Sequence, residues 1–524
     1  MAMDNRQRRQ RRSGIMLNNQ TLLILVGILS AVLIVLLVIC GSIVNNNNTN
    51  DQSDNTLNNG MSSSSTGTSE SGSEASSSVV TQPSSSVAPP TSSVPSSTAP
   101  KLPVTPSGGN YINVGSGYIA EVVQVNVETF TGSTVDDYSH PTNNYLPEGT
   151  VDYCAKDLVY GSNTKYVRLR SGHRVYLEKK VYPPVRKEPE VKQYAGYLPD
   201  HNEIGVVSLE TVGRHSVLTL DCLWKAPFYF KTNQSGYANP NGGSNRDYAV
   251  SSNNATYVDI TFCYATVFTG NVSIPAGHPL FKSAEVIKND SDYTLRLHLR
   301  KAGSFYGWYA YYNDNDQLCF QFLNPAKATV ADNKYGADLS GVTVMIDVGH
   351  GGLDGGAVGK DANGTEWDEA HLNLILANAL KTELESVGAT VIMNRTGDTT
   401  IDINARQEDL MDTAPDICVA IHQNSYSSAK VGGFDSMYFT PWSQLLAKNV
   451  RDYTKETGVY TKTHLKWSVG YFMMRQTICP IILTENGYMS NPDDLVAMID
   501  LTKLEIKATA MAHGIADYFL AINK

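Results

Sequence analysis

Two short motifs that often mark a metal or redox site are missing from this chain. None of its seven cysteines forms a CxxC pair, and there is no HExxH, so a zinc knuckle and a single-helix metal motif are both excluded. An excess of positive charge is missing too. Lys and Arg number 41 against 51 Asp and Glu, and the net charge of −10 argues against a nucleic-acid binder. Residues 45–109 contain no aromatic residue and no cysteine, and Lys101 is their only cation. That stretch is rich in Asn, Ser and Thr, then in Ser and Pro, and has too little apolar surface to offset ordering entropy. A disordered linker is expected there. A flexible chain of about 60 residues has a root-mean-square span of roughly 40–45 Å.

Ahead of the linker, residues 1–20 carry Arg6, Arg8, Arg9, Arg11 and Arg12, and Thr21–Val44 is an uncharged apolar run. The run is long enough to cross a bilayer core of about 30 Å as a helix. Arginines on one flank only place the N-terminus in the cytoplasm and the rest outside. An uncleaved signal anchor is expected at 21–44, since a signal peptide has a shorter apolar core. Lipidation of Cys40 is the other alternative, with Ile39 a poor residue to precede it. The implied location is the cell membrane, single-pass, with the C-terminal part outside.

Residues 110–335 are Tyr-rich and broken by Gly, Asn, Asp and Pro, with short alternating runs such as His215–Leu223 and Thr256–Phe268. They read as one or two all-β modules, with a possible boundary near Pro183–Pro199. Trp224, Phe228, Tyr229, Phe305, Tyr306, Trp308, Tyr309, Tyr311 and Tyr312 are candidates for stacking on sugar rings, although core packing is the commoner use of such aromatics.

The most informative stretch is Val342–Glu369, VTVMIDVGHGGLDGGAVGKDANGTEWDE. A β-branched apolar run ends in a Gly-rich turn carrying His350, and Glu369 then opens a segment with helical spacing at Leu372, Leu376, Leu380 and Leu384. Two more apolar runs end in His422 (Asp416–Ile421) and in Glu485 (Pro480–Thr484). In open α/β sheets, ligands collect beyond the carboxyl ends of the strands. Two His and two Glu converging on one such edge suit zinc, with His350, Glu369 and His422 as ligands and a fourth position left for water. Glu485 is then free to take that water's proton.

The pieces IDVGHGGLDGGAVG, EAHLNL, VIMNRTGD, DINARQEDL, ICVAIHQNS, GGFDSMYF and FMMRQTICPIILTENGYMSNPDD occur in one order. The segment from about Gly341 to Asn523 thereby resembles the zinc-dependent N-acetylmuramoyl-L-alanine amidase family. The resemblance implies zinc ligands at His350, Glu369 and His422 and a catalytic glutamate at Glu485. It implies hydrolysis of the bond between the lactyl group of N-acetylmuramic acid and L-Ala in peptidoglycan. A stem peptidase or a silent wall-binding protein are the alternatives. The chain departs from the family at Val348 and Gly355, where prolines are common, and Glu366 and Asp368 lie close enough to Glu369 to compete as ligands.

The expected fold class is an α/β catalytic domain at 341–524, a mixed sheet with helices on both faces. It follows all-β module(s) at 110–335, the linker at 45–109, one transmembrane helix at 21–44 and a basic tail at 1–20. Expected partners are peptidoglycan and, through the N-terminal helix, the cytoplasmic membrane, with no nucleic acid. Arg395 and Arg406 are candidates for orienting a loop or holding a carboxylate. His464 and His513 read as ordinary residues.

Overall fold

The computed structural model describes residues 118–129, 144–160, 164–234, 253–468 and 470–523. The expected basic tail, membrane span and linker lie outside these residues. The fold class is corrected on one point. Among the described residues no helix is long and apolar enough to cross a membrane, so the transmembrane element has no support.

The N-terminal half of the described chain is built of strands. Tyr257–Phe262 alternates half-buried and buried positions, which sends Val258, Ile260 and Phe262 inward. It lies in a four-stranded sheet with Phe228–Thr232, Tyr293–Leu299 and Phe281–Lys288, all antiparallel. A five-stranded sheet runs Ala265–Thr269, Asn202–Val212, His215–Cys222, Leu318–Leu323 and Trp308–Tyr312. Both sheets contribute to one core, where Phe230 stacks on Trp308 at 3.9 Å and Phe228 meets Phe320 edge-on at 4.7 Å. Phe228, Phe305, Tyr306 and Trp308 are buried and therefore unavailable as a platform for sugars.

The C-terminal part is a six-stranded sheet. Its strands are β1 (Thr343–Val348), β2 (Thr390–Met393), β3 (Ile417–Asn424), β4 (Phe434–Tyr438), β5 (Thr463–Trp467) and β6 (Ile481–Tyr488), in the spatial order β2-β1-β3-β6-β4-β5. β2, β1, β3 and β6 are parallel; β4 runs antiparallel to β6 and parallel to β5. Alternate residues face opposite sides. Val344, Ile346, Val419 and Ile482 join a core with the helices α1 (Glu369–Glu385), α3 (Gln444–Glu456) and α6 (Leu501–Ile522). Met345, Cys418 and Ile481 face the other way, toward α2 (Ile403–Thr413) and α4 (Phe472–Arg475). A short helix, α5 (Pro492–Ile499), follows β6 and is capped by Asn491, whose side chain accepts from Asp493 N and Asp494 N.

The second face of the sheet is closed by the β-rich part. Tyr306 and Leu323 share the core of Met345, Leu410, Met473 and Ile478. Trp308 N donates to Thr477 O at 2.7 Å, and Thr477 Oγ1 donates back to Trp308 O at 2.8 Å. Arg475 pairs with Glu128 at 2.9 Å, and Arg214 pairs with the buried Asp416 at 2.8 Å. Closest approach occurs at Gly307. With φ of +149°, any Cβ there would lie 2.4 Å from Ile478 O. Gly307→Ala should therefore destabilise the protein by about 1–3 kcal/mol, read as an earlier unfolding transition in urea. An unchanged transition would show that the strand can retreat without loss.

Candidate functional site

β1 ends at Val348, and the chain turns sharply through Gly349 to His350, whose φ of +57° is in the left-handed region. A non-glycine residue adopts that conformation only when its surroundings enforce it. Two buried arginines do so here. Arg406 of α2 ion-pairs with Asp347 and donates to Val348 O at 2.8 Å and to His350 O at 3.0 Å. Arg395, following β2, donates to Val348 O, Gly349 O and Ala370 O at 3.2, 2.7 and 2.8 Å. Burial and the neighbouring Arg406 push the Arg395 guanidinium down to about 10, which leaves it charged at neutral pH. Both arginines hold the loop.

Glu369 is the first residue of α1. Asp368 caps that helix by accepting from His371 N, and Glu366 pairs with Lys360 at 3.4 Å on a short hairpin. The two rival carboxylates are thus engaged elsewhere. Glu369 is buried, and its Oε1 lies 3.2 Å from His350 Nε2, 3.0 Å from His422 Nδ1 and 3.0 Å from Gln423 N, while its Oε2 accepts from Ala357 N at 3.0 Å. The ligand atoms of His350, Glu369 and His422 all lie within 4.8 Å of one another, close enough to hold a metal ion. Glycines make the room. A Cβ on Gly349 would lie 2.4 Å from the His422 ring, and one on Gly356 would lie 2.6 Å from Glu369 Oε2.

Outer contacts orient these donors. His350 Nδ1 meets Asp354 at 2.9 Å, leaving Nε2 to point inward, and Asn373 Nδ2 donates to Gly349 O at 3.2 Å. Sequence reasoning missed Asp354; a carboxylate four residues after a candidate ligand His was the available signal. Glu485 sits directly opposite His422 across β3 and β6, so both side chains share one face of the sheet. It is buried, and its Oε2 has no hydrogen-bond partner among the described residues. Burial first, then the charges of Glu369 and Asp435, raise its carboxyl well above the usual range. Burial would lower His350, but its hydrogen bonds to Asp354 and Glu369 outweigh that and bring it up to about 10. Burial would raise Glu369, yet His350 and His422 hold it well below the usual carboxylate range.

His371 is exposed, Asn424 closes its own turn through Ser425 N, and His513 packs between Tyr335 and Tyr453. None of them reaches the cluster described above. His464, part-exposed, meets the buried Asp435 at 2.8 Å on the row that contains Glu485.

A His/Glu/His cluster that could hold a metal ion, with a neighbouring carboxylate on the next strand, defines the class: an α/β domain with its polar site on one face of a mostly parallel sheet. Comparison with known proteins makes it specific. Residues 344–517 match the N-acetylmuramoyl-L-alanine amidase family, and the chain carries a domain of that family. A probable cell wall amidase, LytH of Staphylococcus aureus, is 32% identical over 195 residues, which are 37% of this chain and 64% of that relative. The catalytic domain of CwlV, an N-acetylmuramoyl-L-alanine amidase from Bacillus (Paenibacillus) polymyxa var. colistinus, is 27% identical. It covers 34% of this chain and 99% of its own, with a TM-score of 0.32. The amidase AmiC2 of Nostoc punctiforme gives 27% identity, 34% and 97% coverage and a TM-score of 0.32.

Two outcomes are expected. Arg406→Met leaves Asp347 buried without its partner and should cost about 3–5 kcal/mol, measured by chemical denaturation; a loss below about 1 kcal/mol would show that the pair is dispensable. His350 in the ion-free site is protonated at neutral pH, so filling the site with Zn2+ should release about one proton at pH 7. Affinity should then rise with pH until His350 loses its proton unaided, near 10. Calorimetry in buffers of different ionisation enthalpy reads this directly, and uptake without proton release would contradict it.

Proposed function

We propose that this chain is a zinc-dependent peptidoglycan amidase. It would hydrolyse the amide between the lactyl group of N-acetylmuramic acid and L-Ala of the stem peptide, at the cell wall. One observation carries the reading: His350 Nε2, His422 Nδ1 and a Glu369 oxygen converge, with Glu485 the next side chain across the sheet. Two imidazoles and one carboxylate are a donor set that zinc accepts while keeping an open position. The family match at residues 344–517 supports the same chemistry.

His350, Glu369 and His422 would hold the zinc, which would supply Lewis acidity toward the scissile carbonyl and toward water. Everything else is done by the chain. Glu485 takes the proton of the attacking water and delivers it to the departing L-Ala nitrogen as the C–N bond breaks. The raised affinity of Glu485 for a proton suits the second half of that task. A cation among the donors draws its carboxyl back toward the ionised form, which suits the first. Asp354 holds the His350 ring so that Nε2 faces Glu369, and Arg395 and Arg406 hold the turn that carries it.

Glu485→Gln should lower turnover of purified peptidoglycan by at least about 10²–10⁴-fold while zinc content stays near one per chain. His350→Ala or His422→Ala should lose the metal as well. Mass spectrometry of the released fragments identifies the bond. Free L-Ala amino termini with intact lactyl groups support the reading, whereas new termini within the stem peptide would replace it with a peptidase. Wild-type release by Glu485→Gln would remove the assigned role.

A further inference from the structure

One register row of the sheet carries more than the cluster at its centre. His422 on β3 lies opposite Glu485 on β6, Glu485 opposite Asp435 on β4, and Asp435 opposite His464 on the edge strand β5. Directly opposed residues place their side chains on one face, so these four form a continuous polar line from the His/Glu/His cluster to the edge of the sheet. Lys466, two residues along β5, belongs to the same face. Asp435 has a completely buried side chain and accepts from His464 Nδ1 at 2.8 Å, Lys466 Nζ at 2.6 Å and Tyr488 Oη at 3.1 Å.

Lys466 faces two buried carboxylates, Asp435 and Glu485, so what is in surplus here is hydrogen-bond donors rather than charge. A lysine, an imidazole and a phenol are gathered on the two oxygens of Asp435, and the two basic groups remain open to water, with side-chain exposures of 27% for Lys466 and 40% for His464. An ammonium has three donors, and Asp435 engages one. His464 Nε2 and the remaining Lys466 donors have no other partner among the described residues. In a chain of net charge −10, this is a fixed, partly desolvated pair of basic groups beside the hydrolytic centre.

We propose that Lys466 and His464, held by Asp435, form a subsite for a carboxylate of the peptide that leaves on hydrolysis. This rests on the amidase reading above. Geometry fixes which carboxylate. Neighbouring strands are about 4.8 Å apart, so Lys466 Nζ, held over β4, lies about 10 Å from the β3 end that carries His422. An extended peptide advances about 3.3–3.6 Å per residue. The recognised group therefore belongs to the second or third residue beyond the scissile amide, and the leaving peptide runs across the strand ends toward β5.

The test uses the full chain loaded with zinc and two sets of muramoyl tripeptides that differ only in carrying a carboxylate or an amide on the second or third residue. Wild-type kcat/KM should favour one acid over its amide by about tenfold at low salt, mostly through KM, with the preference shrinking as salt rises. In Lys466→Met that ratio should fall toward one, while Lys466→Arg keeps part of it. His464→Gln is the second variant, and its ratio should fall in the same direction. Melting temperature and zinc content accompany each variant, because a role confined to stabilising Asp435 would move those and leave the ratio alone. A wild-type ratio of one, or a ratio unchanged in Lys466→Met and His464→Gln, overturns the subsite but not the amidase. Turnover of neither peptide set by the wild type removes the amidase reading and the subsite with it.

Discussion

The turn that carries His350 depends on the pairing of Asp347 with Arg406. Asp347 is the last polar position before β1 gives way to the turn, and it is buried. Alone it would be an uncompensated charge inside the sheet. Paired, it fixes a guanidinium whose remaining donors reach Val348 O and His350 O, so the ion pair also becomes a template for the left-handed residue beyond it. Arg395 binds the same turn from the other side and ties it to the first turn of α1, where Glu369 begins. Two donors that are nineteen positions apart in sequence are thereby held together before any ion arrives.

The same clamp reaches into the β-rich part. α2 carries Arg406, and its N-cap Asp402 accepts from Arg186 at 2.9 Å. Ile403 N donates to Tyr182 O at 3.0 Å. A hairpin, Glu178–Val181 with Arg186–Pro189, thus holds the end of α2 from which Arg406 extends. Support for the His350 turn begins about 160 residues upstream of it, in a part of the chain with no donor of its own in the cluster.

Legibility from sequence followed contact range. His350, His422 and Glu485 stood out because each follows a short apolar run, although β3 and β6 themselves continue past His422 and Glu485 to Asn424 and Tyr488. Glu369 was readable because helical spacing starts beside it. Pairings across the sheet were not readable. β4 inserts antiparallel between β6 and β5, and nothing in GGFDSMYF says which strands will flank it. Asp435 and His464 therefore looked unrelated, although they are direct neighbours in the fold. Arg395 and Arg406 were visible as candidates, but their backbone targets depend on how the turn folds. The tyrosines and tryptophans of the β-rich part were ambiguous for a similar reason: alternation shows that a strand has two faces, and only packing shows which is inside.

Sharing one face of the sheet between α2, α4 and strands from upstream has a consequence for how the molecule can be divided. The topological boundary near residue 341 separates two sets of hydrogen-bonded strands. The apolar surface of Met345, Leu410, Met473 and Ile478 lies across that boundary from Tyr306 and Leu323. A fragment beginning at the boundary would present this surface bare to water. The sheet that carries the cluster and the strand-rich part that precedes it therefore shelter one another's apolar surface, and neither is complete when cut at that boundary.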